Sequence, residues 1–196
     1  TERAGSTERA GSAERAESTG RAESVAGVTD CLTFTLNGLS KLCALPQMKL
    51  GWMVVNGPEE LVRPALERLE VLADTYLSVG TAVQHAAPVL LAQRPAIQQE
   101  LLERIRANLE HLDQCAEGSA CSRLPAEGGW YAVLRVPETL DDEEWAVRLL
   151  EEEGVYVHPG HLFHFSGGAY LVLSLIAGQE SFAQGVGRLL RMVAAG

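Results

Sequence analysis

The chain has 196 residues, 46% of them hydrophobic and 21% charged, with a formal net charge of −10 and a pI near 5.0. That balance argues against a nucleic-acid binder, because phosphate contacts need clustered Lys and Arg. No apolar run approaches the ~20 residues that a bilayer-spanning helix needs, and the first thirty residues lack the apolar core of a signal peptide.

Residues 1–24 repeat a six-residue unit four times (TERAGS, TERAGS, AERAES, TGRAES) with Arg, Ala and Ser in register. Six residues advance a helix by about 600°, so no position recurs on one face. The units also lack large apolar side chains, so they cannot stack as a solenoid. Residues 1–30 are therefore expected to be a disordered, low-complexity lead-in. From residue 31 the pattern changes. Residues 31–36 (CLTFTL) alternate and predict a strand, 37–41 a polar turn, and 49–55 (KLGWMVV) a second, buried strand. Gly57-Pro58-Glu59-Glu60 opens a long helical region reaching about Cys115, which Pro64, Pro88 and Pro95 are expected to break or kink. Further on, 126–136 predicts a turn and strand, 141–153 an amphipathic helix, 154–158 a short strand, 170–176 a strand and 181–194 a closing helix. This order suits an α/β or α+β protein with two subdomains. The four cysteines, Cys31, Cys43, Cys115 and Cys121, form no CxxC pair or dense framework, which reads as a reduced, cytoplasmic setting.

The residues that carry chemistry lie between Asn37 and Gly51 (NGLSKLCALPQMKLG). This stretch resembles the lysine signature of class I and II aminotransferases, fold-type I proteins that use pyridoxal 5'-phosphate. In that signature a small-residue turn gives Ser-Lys, a Pro or Gly follows, and a basic residue stands eight positions after the lysine. Here Ser40 precedes Lys41, Pro46 sits in the spacer, and Lys49-Leu50-Gly51 closes the match. An amine on a turn after one strand can reach an aldehyde carbon while the next strand returns a cation toward the phosphate. The resemblance implies that Lys41 is the catalytic Schiff-base lysine, and that Lys41, Ser40 and Lys49 bind the coenzyme. Lys49 stands where the family usually has Arg, so a compact point charge replaces a planar fork.

Three later segments extend the resemblance: Gln84 within AVQHAA, the Gly-Gly-aromatic turn at Glu127-Gly128-Gly129-Trp130-Tyr131, and Gly154-Val155-Tyr156-Val157-His158-Pro159-Gly160 followed by Phe163. Together they cover about residues 31–196 and make the chain similar to the C-terminal part of such an enzyme. The implied fold is α/β and PLP-dependent transferase-like. Residues 31–115 would be a partial large domain with its connecting helices, and 116–196 a small α+β domain. The implied partners are a small-molecule amino donor, a keto-acid acceptor and a second copy in a homodimer, with no nucleic acid and no membrane.

Two departures qualify the implied activity. The family places an Arg for the substrate α-carboxylate where Val172 stands, and no Arg or Lys occurs from residue 159 to 179. A carboxylate desolvated there without a partner is costly, so ordinary α-amino acids are expected to be poor substrates and the substrate-binding residues stay unassigned. The residues that stack on the coenzyme ring and pair with its nitrogen lie upstream of the lysine in the family; Asp30 is too near Lys41 to serve. Other PLP chemistry on the same scaffold (a lyase or decarboxylase) and a non-catalytic fragment acting in dimerisation remain alternatives. His158, His161 and His164 have no carboxylate or Cys among them at ligand spacing and read as solvated or packing histidines. Trp52, Trp130 and Trp145 read as core or subdomain-interface aromatics.

Overall fold

The computed structural model describes residues 24–195. The hexad repeat, except its last serine, lies outside the described residues. Ser24 accepts from the amide of Ala26 and caps a single 3-10 turn.

Two strands, β1 (Thr33–Gly38) and β2 (Gly51–Asn56), pair antiparallel, with Gly38 opposite Gly51. The expected polar turn at 37–41 is instead the end of β1 followed by one helical turn, α1 (Leu39–Leu42). The reason is Leu39, which is fully buried and whose carbonyl accepts from the amides of Cys43 and Leu45. β2 begins two residues after its expected start, because Lys49 takes a left-handed conformation (φ 50°) that a strand cannot contain. Nor is it buried: Met53 and Val54 are exposed, as are Phe34 and Leu36 on β1. Cover is partial: Trp52 and Val55 are half-buried, with α2 against the strand, and the other apolar side chains of the ribbon stay open.

α2 (Glu59–Asp74) starts after Pro58 with two acids beside the positive end of its dipole. Pro64 lies inside α2, and Pro88 lies inside α3 (Thr81–Ala92), so neither ends a helix. Only Pro95 marks a boundary, in the first turn of α4 (Arg94–Ala116), where a missing N–H costs nothing.

The C-terminal half is a four-stranded antiparallel sheet of order β3-β4-β6-β5, formed by β3 (Ser122–Arg123), β4 (Tyr131–Val136), β5 (His158–Pro159) and β6 (Ala169–Ser174). α5 (Asp142–Glu153) opens on a complete capping box between Asp141 and Glu144 and ends at Gly154, whose left-handed backbone (φ 64°) ends the helix and shortens the expected 154–158 strand to two residues. α6 (Gln179–Ala195) closes the chain. Strand alternation puts Leu134, Leu171 and Leu173 on one face, against Trp145 and Leu149 of α5, Leu189 of α6 and Leu112 of α4. The Trp145 indole is fully buried and still donates to the carbonyl of Pro137 at 2.9 Å, so its polar atom is satisfied. Cys121 sits at the edge of this core, and burial pushes its thiol pKa up.

α4 is tied to the sheet by polar contacts as well as by Leu112. The Arg123 guanidinium forks onto the Asp113 carboxylate at 2.5 and 3.0 Å. Asn108 is buried, and its amide nitrogen donates to the carbonyls of both Leu175 and Ala177 at 2.9 Å. Replacing Asn108 with Leu leaves two backbone acceptors without their donor. The expected loss is ~1–3 kcal/mol, read as a lower urea midpoint at unchanged slope.

Candidate active site

The ends of β1 and β2 converge on two glycines. A side chain at Gly38 would place its Cβ 2.8 Å from the carbonyl oxygen of Leu50, and one at Gly51 would place it 3.2 Å from that of Asn37. This close approach lets the Leu39 amide donate to the Leu50 carbonyl at 3.0 Å, which closes the 39–50 segment into a compact loop. Cys43, buried on that loop, points its thiol to the carbonyl of Leu90 on α3, and Gln98 of α4 donates to the carbonyl of Leu42. The loop is thus docked on the helices behind it.

Its open side is a cleft of about 490 Å³ lined by Asn37, Gly38, Ser40, Lys41, Lys49 and Gly51, with Leu36 and Leu50. The three residues singled out in this stretch of sequence therefore line one cavity. Lys41 and Lys49 are exposed and Ser40 half-buried. They are also the only two lysines in the chain. No acidic residue lines the cleft, so it is a cationic spot on a protein of net charge −10. Such a spot attracts a small anion.

The Gly-Gly-Trp-Tyr segment meets this cleft. Gly129 turns the chain with φ 84°, and the Trp130 carbonyl accepts from the Leu175 amide at 2.8 Å. The Lys41 Nζ lies 4.7 Å from the centroid of the Trp130 ring. The sequence marks Trp130 as part of the Gly-Gly-aromatic turn and as a packing aromatic, and its contact with Lys41 is carried by neither reading.

The third motif lies on the outer face of the sheet. Tyr131 packs edge-on to Phe163 with centroids 6.0 Å apart, and His158 lies 6.0 Å from Phe163 and 5.1 Å from Tyr156. Val172, on β6, pairs with Val133 on one side and His158 on the other, and is buried at 2% exposure. Arg135 stands across from Tyr170, two pairs further along, and its guanidinium is held by Glu138 at 2.8 Å. His161 does have a carboxylate beside it, contrary to the spacing argument. Asp142, at the start of α5, accepts from the His161 amide at 2.6 Å and lies 3.3 Å from its ring nitrogen. Gln84 donates to the carbonyl of Val79 and Asp30 is exposed; neither lines the cleft. A more enclosed groove of about 330 Å³ between the 154–157 segment, β6 and α6 is mainly apolar, and its Arg188 is occupied by the carbonyl of Glu153. Among the described residues no group of three or more His, Cys, Asp or Glu is placed to hold a metal, and no helix is long and apolar enough to cross a membrane.

Comparison with known proteins gives one consistent result. The family model for aminotransferase class I and II matches residues 8–179, beginning within the hexad repeat. An alanine aminotransferase of Mycobacterium tuberculosis is 30% identical over 168 residues, covering 82% of this chain and 39% of that protein. Of solved structures, a PLP-dependent aminotransferase from Streptococcus suis superposes with a TM-score of 0.71 at 24% identity, covering 83% of this chain and 42% of that one. An aminotransferase from Escherichia coli gives 0.68 at 22% identity, covering 84% and 43%. These likenesses establish an α/β fold of the PLP-dependent transferase kind, of which the chain spans about two fifths.

The glycine convergence is the feature most open to test. Gly38→Ala forces a methyl against a backbone carbonyl and must part β1 from β2. The expected cost is ~1–3 kcal/mol in thermal or urea unfolding, as for other overpacked sites. Unchanged stability would show that the loop does not depend on this approach.

Proposed function

This chain belongs to the aminotransferase class I and II family, and we propose that it is the C-terminal part of a PLP-dependent aminotransferase, moving an amino group between an amino donor and a keto acid with Lys41 as the catalytic residue. The observation that carries the reading is the meeting of Ser40, Lys41 and Lys49, with both lysines of the chain, in one cleft free of acidic residues. Residues 31–115 then form a partial coenzyme-binding domain and 116–196 the small domain. The exposed apolar faces of β1 and β2 support this, since a two-stranded ribbon with only partial cover is marginal alone and suits the margin of a larger sheet.

The donor set fits pyridoxal 5'-phosphate along its phosphate and aldehyde edge. Lys49 supplies a point charge and Ser40 a hydroxyl for the phosphate, and the glycine pair leaves backbone accessible beside them. No acidic residue lines the cleft to pair with a pyridine nitrogen, so that partner has to come from elsewhere in the assembled enzyme. When bound, the coenzyme supplies an electron sink. Lys41 would, as the neutral amine, be the group that bonds the coenzyme's aldehyde carbon, and its free Nζ would be the base for the proton on the donor's amine-bearing carbon. The exposed ribbon favours a homodimer, and a non-catalytic fragment that acts only in dimerisation is the second reading.

The substrate follows from Val172. Its relatives include alanine aminotransferases, but here the position pairs with a valine and an imidazole instead of presenting a guanidinium. We take the donor to be an amine whose reactive end carries no α-carboxylate, or an amino acid held by another cation.

Borohydride reduction of the protein saturated with pyridoxal 5'-phosphate should place the label on the Lys41 peptide, and Lys41→Ala should remove it. Absence of label on Lys41 in folded wild-type protein would leave the dimerisation reading. Lys49→Arg should tighten coenzyme retention roughly 3- to 10-fold through its bidentate fork. Carbonyl product formed from a panel of donors, an aldehyde or ketone from a simple amine and a keto acid from an amino acid, should favour simple amines, and rapid turnover of alanine would overturn the substrate assignment.

A further inference from the structure

We infer that Trp130 is a positioning residue that docks the free Lys41 ammonium on its indole face and restrains that amine until it bonds a carbonyl carbon. The inference concerns Lys41 as a nucleophile, and only its use in catalysis rests on the proposed function. Among the described residues Lys41 makes no ion pair and no hydrogen bond, although it is exposed and charged; the Trp130 ring, 4.7 Å from Nζ, is the partner it does have. The backbone that carries the half-buried ring is anchored: the glycine pair turns the chain into β4, and the Trp130 carbonyl accepts from the Leu175 amide beyond β6. The ammonium, by contrast, hangs from a flexible four-carbon stem on α1. The fixed member is thus the ring and the movable one the amine.

An indole face attracts a cation through its quadrupole and has no such hold on the uncharged amine. Addition of Nζ to a carbonyl carbon needs the uncharged form, so the contact must be given up for the bond to form. Trp130 therefore lowers the reactivity of Lys41 while Lys41 is free, and keeps Nζ beside the cleft. Because α1 follows β1 and Trp130 leads into β4, the same contact joins the ribbon to the small sheet. Bonding of Lys41 releases that joint.

The chain supplies its own control, since Lys49 lines the same cleft and has no ring assigned to it. The probe is formaldehyde with cyanoborohydride, which needs no coenzyme site. Nζ adds to the carbonyl carbon, water leaves with the carbonyl oxygen, and hydride from cyanoborohydride reduces the imine to a methylamine. Initial rates at the two lysines are read by peptide mapping. Trp130→Leu should raise the Lys41 rate ~2- to 5-fold with the Lys49 rate unchanged, and Trp130→Phe, which keeps an aromatic face, should fall between it and wild type. An unchanged or slower Lys41 in Trp130→Leu, or equal changes at both lysines, would overturn the inference. If the leucine variant does not fold, Lys41→Met takes its place. Removing the charge should then move the Trp130 indole resonance and leave those of Trp52 and Trp145 in position, and an unmoved Trp130 signal would equally overturn it. A wild-type protein that fails to bond pyridoxal phosphate but shows these differences sinks the proposed enzyme function alone.

Discussion

The backbone bond from the Leu39 amide to the Leu50 carbonyl, 3.0 Å long, closes the loop that carries Ser40, Lys41 and Lys49. It exists because Leu39 is fully buried and because two opposed glycines let the strand ends approach. Each condition has a separate physical origin: burial of one leucine side chain is worth roughly 1.5–3 kcal/mol, and a glycine pair removes the two Cβ atoms that would hold the strands apart. With the loop closed, Lys41 and Lys49 become neighbours across the cleft despite the left-handed backbone that Lys49 must adopt. That conformation costs a non-glycine residue roughly 1–2 kcal/mol, and it is held by the turn rather than by any preference of lysine.

The two halves of the molecule differ in how they meet the demands of burial. The small sheet has one face packed by α4, α5 and α6, with polar edges tied off by Asn108 and the Asp113–Arg123 fork. The β1–β2 ribbon has no such partner: Phe34 and Met53 are exposed on it, and α2 exposes Leu61, Leu66, Val71 and Leu72. The chain spans 39% of the length of the alanine aminotransferase it matches. The reactive loop therefore sits on the less self-sufficient half, while the residue that holds its lysine, Trp130, belongs to the better packed one.

What could be read from sequence was what is encoded locally. The amphipathic helix expected over 141–153 and the closing helix expected over 181–194 each depend on residues within a few positions of one another, and both lie close to their expected bounds, while Ser40, Lys41 and Lys49 line one cleft. The misses share a different origin. Pro64 and Pro88 are absorbed into α2 and α3, because flanking turns carry the helix past one absent hydrogen bond. β3 has two residues, too few for any alternation to register. Lys49 is a left-handed residue without the glycine or asparagine that would announce it. The Trp130–Lys41 and Asp142–His161 contacts join segments far apart in sequence, and no spacing rule reports them.

Family membership and substrate choice are separable in this fold, and Val172 shows why. The position is set by strand register: β6 must place alternate residues on the outer face, between β4 and β5, whatever their side chains are. The fold therefore tolerates a valine there with no loss of core packing, since Leu171 and Leu173 face the other way. Chemistry does not tolerate it equally. A carboxylate brought against a residue 2% exposed gives up its water and receives no charge in return, and the ring across the strand pair is an imidazole already facing Tyr156 and Phe163. An aromatic or uncharged group meets no such cost on that face. The sheet thus keeps the architecture of the family, and under the proposed function its outer surface at Val172 offers no cation to an α-carboxylate.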